Sequence, residues 1–109
     1  MPTPEGEVKK KVLAYLRSRN HWVLPHATVG IFDARLGKHR ATNANSCTRG
    51  EPDLLVFAKS SPISPIWIEL KSKKGKLSPD QLLFAERAIA WGHEYLLVRS
   101  VADCEKFGL

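Results

Sequence analysis

Two segments of this 109-residue chain carry clear helix-start signals, and their place in the order limits what the rest can form. Residues 3–20, TPEGEVKKKVLAYLRSRN, open with Thr3 placed to cap, Pro4 at the first helical position and acids in the first turn. Val8, Val12 and Leu16 then recur at helical spacing. Residues 78–92, SPDQLLFAERAIAWG, repeat the device with Ser78 as cap, Pro79 in the first position and Gly92 past the end. Short apolar runs bounded by turn residues fill the intervals. HWVLPHATVGIF (21–32) has strand character interrupted by Pro25 and Gly30, while DLLVFA (53–58), IWIELKS (66–72) and HEYLLVRS (93–100) read as strands. The polar stretch 33–52 predicts a hairpin tip and a mobile loop, KSSPISP a loop, KKGK a turn, and VADCEKFGL a short C-terminal helix. Helix, strands, helix, strand in that order predicts an α/β domain with one mixed sheet flanked by helices. The length allows one such domain, residues 1–109, and not two.

Several function classes drop out early. MPTPEGEVKKK lacks the apolar run of a secretory leader, and no stretch approaches the ~18 apolar residues of a membrane span. No membrane partner is expected. Cys47 and Cys104 lie far apart and in no CxxC pattern, so they read as reduced or incidental thiols of a cytosolic protein. His21, His26, His39 and His93 have no zinc spacing, and there is no P-loop, GxGxxG or Ser/His/Asp context. Seventeen Lys and Arg against eleven Asp and Glu give +6, which suits a polyanionic partner.

The acids are more informative than the bases. Along IWIELK, Ile66, Ile68 and Leu70 share one face, and Trp67, Glu69 and Lys71 the other. An exposed second face makes Glu69 and Lys71 a solvated pair. A covered one, usual for strands between helices, obliges Glu69 to find a cation, a metal or donors. Asp53, behind Gly50-Glu51-Pro52, either ends a turn or stands at a strand mouth for a purpose. On the first helix Glu5 falls on the apolar stripe of Val8, Val12 and Leu16, whereas Glu7 falls opposite with Lys11 as its i+4 partner. Glu5 is explained otherwise only as a first-turn acid. On the second helix Gln81 lies within the stripe of Phe84, Ala85, Ala88 and Ile89, where it meets a polar partner or else reaches solvent from the helix start. If Glu5, Asp53, Glu69 with Lys71, and Gln81 converge, they make an oxygen-rich cation site beside a lysine. Such a site suits Mg²⁺ or Mn²⁺. A cation there lowers the pKa of a bound water, and Lys71 orients that water or offsets developing charge.

RGEPDLLVF followed by WIELKSKKGKLSPDQ resembles the PD-(D/E)XK nuclease signature, and most closely its VRR-NUC (virus-type replication-repair nuclease) branch. TPEGEVKKKVLAYL and GHEYLLVRS fit that branch in order, so the resemblance spans nearly the whole chain and looks like a stand-alone, phage-type member. It implies an αβββαβ core. It also implies Asp53, Glu69 and the main-chain carbonyl of Leu70 as metal ligands, Lys71 as the catalytic lysine, Glu5 as the helix-one acid that helps bind or polarise metal-bound water, and Gln81 as support. Glu51 departs from the pattern, where an uncharged residue is common. It points outward or disturbs the approach of DNA.

Arg35, Lys38, Arg40 and Arg49 precede GEPD, and Lys71, Lys73, Lys74 and Lys76 follow IEL; residues 35–49 and 71–76 contain no acid. Bases so placed suit backbone phosphates, though Lys73, Lys74 and Lys76 can equally be a solvated turn. The expectation is an Mg²⁺- or Mn²⁺-dependent endonuclease acting on DNA. By resemblance its substrate is branched DNA such as four-way (Holliday) junctions, cut by a homodimer, since paired cuts need two sites. The alternatives are a nuclease for flap, nicked or linear DNA, a basic nucleic-acid-binding module without catalysis, and a structural interaction protein.

Overall fold

The computed structural model describes residues 3–25, 31–33, 38–40, 50–59 and 65–109, with 31–33 and 38–40 described as backbone only. Helix α1 (Pro4–Ser18) begins as its sequence predicts: the Thr3 hydroxyl accepts from the Gly6 N–H at 2.9 Å. Strands β1 (Trp22–Pro25), β4 (Leu54–Phe57), β5 (Pro65–Leu70) and β6 (Glu94–Val98) form one four-stranded sheet in the order β1-β4-β5-β6. The first three pair antiparallel, and β5 pairs parallel with β6 across helix α2 (Pro79–Ala90). The sheet is therefore mixed and the core order is αβββαβ, as expected. A short hairpin of β2 (Ile31–Asp33) and β3 (Lys38–Arg40) is inserted between β1 and β4, and α3 (Val101–Lys106) closes the chain.

The pleat sorts the sheet into two unequal faces. Leu54, Val56, Ile66, Ile68, Leu70 and Val98 point to one side and meet Val12 and Leu16 of α1 and Cys104 of α3. Every one of these is buried, so this is the main core. The opposite face carries Trp67 and Glu69 and lies under α2, where Trp67 meets Phe84 edge-on at 5.1 Å and donates from Nε1 to His93 Nδ1 at 3.1 Å. The covered-face reading of β5 is thus the correct one: Glu69 is 3% exposed. The α2 stripe is narrower than predicted, because Ala85 and Ala88 are buried but Ile89 faces solvent. The helix lies over the β5–β6 side of the sheet, and Leu82, Leu83 and Ile89 on its other flank are exposed. Among the described residues no helix is long and apolar enough to cross a membrane.

Candidate active site

The register of β4 against β5 sets the site. Leu54 stands opposite Ile68, so the next pair outward is Asp53 opposite Glu69, on the Trp67 side of the sheet. Asp53 is held there by the turn before it. Gly50 has φ +75°, and a β-carbon on it would overlap the Asp80 carbonyl group and sit 2.7 Å from the Gln81 nitrogen. Only glycine lets this turn run against the first turn of α2, and that close approach brings Asp53 and Gln81 together. Asp53 Oδ2 then accepts from the Leu70 N–H at 2.9 Å, which fixes the carboxylate on the end of β5.

Gln81 serves the helix and the site at once. Its Oε1 accepts from the Ser78 N–H at 2.8 Å, while the Ser78 hydroxyl accepts from the Gln81 N–H at 3.2 Å, a complete capping box. With the oxygen so engaged, the amide nitrogen must face the other way, and it donates to Glu69 Oε1 at 2.7 Å. Lys71 follows directly after β5 and its N–H continues the ladder to the Val98 carbonyl at 3.1 Å. Its ammonium lies 3.8 Å from Glu69 Oε1 and 3.9 Å from Glu5 Oε1, with the side chain 15% exposed. The turn beyond it is tied down by the residue that follows β6: Arg99 Nη1 donates to the Ser72 carbonyl at 2.6 Å and to the Lys73 carbonyl at 3.2 Å.

This arrangement is short of positive charge. The Glu69 carboxyl is pushed up to about 8, first by burial and then by the charge of Asp53 across the strand, with Lys71 opposing and Glu5 adding a little. Glu69 Oε2 is buried without a hydrogen-bond partner. A carboxylate in that position takes a proton or a cation. The donors are oxygens and the acidic side chains at the centre are two, which fits a hard ion that keeps several of its waters, as Mg²⁺ and Mn²⁺ do. Among the described residues no three His, Cys, Asp or Glu side chains stand close enough together to hold an ion by themselves.

No protein-family model matches the chain, and no curated protein matches it. One solved structure does, described as "VRR_NUC domain", at 24% sequence identity and a TM-score of 0.65, over 95% of this chain and 92% of that one. The fold is that of a VRR_NUC domain.

On this VRR_NUC fold, Asp53, Glu69, Lys71 and Gln81 lie together at the end of β5. Among the described residues Glu5 joins through its ion pair with Lys71, and its side chain is 52% exposed. Glu7 does not stand on an open opposite face: with Lys11 it lines a cleft against Arg99, Ser100, Val101 and Ala102. Glu51, expected to point outward or to disturb DNA approach, is half-buried. Lys73, Lys74 and Lys76 lie on the turn beside Lys71, and all three are exposed. Arg35 and Arg49 lie outside the described residues, as do the side chains of Lys38 and Arg40 and the expected mobile loop. Sequence reasoning missed three residues. Gly50 was readable from the glycine ahead of Pro52-Asp53, but Arg99 and Tyr95, the latter beside the carboxylates, carry no signal in the chain order.

Proposed function

We propose that the chain is a metal-dependent DNA endonuclease that hydrolyses phosphodiester bonds with a water activated at Asp53 and Glu69. The observation that supports it most is the buried Glu69 carboxylate facing Asp53, with Lys71 at 3.8 Å, set in a VRR_NUC fold. Asp53 and Glu69, with the Leu70 carbonyl, are the residues that would hold Mg²⁺ or Mn²⁺. The ion, when bound, supplies a Lewis acid and lowers the pKa of a water in its shell. Gln81 occupies Glu69 Oε1 and leaves Oε2 for the ion. Lys71, held between Glu69 and Glu5, orients the attacking water or offsets charge on the phosphate. Glu5 helps polarise that water from the more open side.

DNA would reach the site across the 73–76 turn, which Arg99 holds in place. Changing Lys73, Lys74 and Lys76 together to Ala should weaken DNA binding and reduce the slope of log K against log salt by up to about 2–3, at about 0.9 for each phosphate no longer neutralised. A salt titration with an unchanged slope would remove this surface from the reading. Branched DNA, four-way junctions in particular, and a homodimer that places two cuts are the substrate and assembly proposed on the VRR-NUC resemblance.

The direct test is a cleavage panel of four-way, flap, nicked and linear DNA with Mg²⁺ or Mn²⁺, run beside Glu69→Ala. Cleavage by the native protein and none by the variant is the expected result. Equal cleavage by both refutes the assignment, and DNA binding without any cleavage makes the protein a basic binding module instead.

A further inference from the structure

Tyr95 lies on β6 opposite Trp67, and the next residue of that face, Leu97, stands opposite Glu69. Tyr95 is therefore the diagonal neighbour of Glu69 on the same side of the sheet, within reach for a long aromatic side chain. Its hydroxyl is buried and has no hydrogen-bond partner. Glu69 Oε2 is in the same condition. One is a donor and the other an acceptor, and both belong to the face that carries Asp53. The phenol lies close enough to Glu69 and Asp53 to feel the charge of both carboxylates.

A buried hydroxyl without a partner is a cost to the fold that phenylalanine would avoid while filling the same space. The ring alone explains the packing; it does not explain the oxygen. Carboxylates that bind metal are held in turn by hydrogen-bond donors around them, and loss of such a donor lowers metal affinity.

We propose that Tyr95 is a positioning residue for the Asp53–Glu69 pair: its hydroxyl donates a hydrogen bond into the pair, directly or through a water the pair holds, when the pair carries a divalent cation. Tyr95 so placed acts on the cation through the carboxylates, and the fold has no need of its hydroxyl. This rests on the nuclease reading of the same site and adds a residue to it.

Tyr95→Phe separates the two roles. Calorimetric titration of the native protein and the variant with Mn²⁺ should show affinity reduced by about 10-fold or more in the variant. Thermal melting in a chelator should show the metal-free variant as stable as the native protein or more so, because an unpartnered hydroxyl has been removed. Equal Mn²⁺ affinity overturns the proposal, and so does a metal-free variant that melts clearly lower, which would make the hydroxyl structural. If the native protein cuts DNA and Tyr95→Phe binds Mn²⁺ as well as it does, only the role of Tyr95 fails. A native protein that neither binds Mn²⁺ nor cuts DNA takes the nuclease reading and this proposal down together.

Discussion

Metal-free protein carrying Glu69→Gln should keep its melting temperature as the pH rises from 4.5 to about 8, while the native protein loses stability over the same window. Glu69 has a folded pKa near 8 against an ordinary glutamate value of 4.5. The folded state therefore keeps a proton that the unfolded chain has released, and between those two pH values the native state binds more protons. Stability falls with pH under that condition. The contribution is complete below 4.5 and lost as the pH passes through about 8. The substituted glutamine would keep the hydrogen bond from Gln81 through its own carbonyl oxygen, fill the same volume and titrate nowhere. At the upper end of the window the variant should be the more stable protein. In cleavage the order reverses. Loss of a cation ligand forfeits several kcal/mol of transition-state stabilisation, a drop on the order of 10³-fold. Chemical or thermal melts in a chelator at several pH values, beside single-turnover cleavage of a four-way junction, check both halves. A variant whose melting follows the native pH curve would show that Glu69 is ionised in the folded protein.

How the residues became readable differs from one to the next. Pro4 and Pro79 behind Thr3 and Ser78 fixed both helix starts, because capping is local chemistry that a few residues specify. Glu69 was legible as an anomaly: period 2 put it on a face that an α/β sheet covers, and the structure buries it. Gln81 was legible as a polar residue in an apolar stripe, yet its capping role hid inside the same side chain. Glu5 was placed on the inner stripe by a phase argument that works at mid-helix and weakens in the first turn. There the side chain is half exposed and meets the site at Lys71. Ile89 failed in the opposite way, since periodicity gives a stripe's direction and the width of the neighbouring sheet decides how much of it is covered. Tyr95 and Arg99 depend on the parallel pairing of β5 and β6, a contact between residues about thirty positions apart that no local pattern announces.

The contact that ties the Asp53 turn to the start of α2, where Gln81 stands, is the close approach of Gly50, and Gly50→Ala should break it. Two penalties add. Alanine at φ +75° carries the left-handed cost of about 1–2 kcal/mol. Its β-carbon would also overlap the Asp80 carbonyl and crowd the Gln81 nitrogen, all of it backbone that no rotamer change can move aside. Forced shifts of that kind cost a further 1–3 kcal/mol, by rough analogy with overpacked cores. The expected total of about 3 kcal/mol corresponds to a fall in melting temperature of roughly 10 °C or more for a domain of this size. Gly92 supplies the control. It has φ +83°, and a β-carbon there meets nothing within 4 Å, so Gly92→Ala bears the first penalty alone. The difference between the two variants measures the close approach. The damage should also be local, because moving the 50–53 turn away from α2 separates Asp53 from the Gln81–Glu69 pair. Gly50→Ala, studied cold enough to stay folded, should bind Mn²⁺ more weakly than the native protein, while Gly92→Ala should bind it equally well. Equal melting losses for the two alanines would mean that the turn has room to spare beside α2.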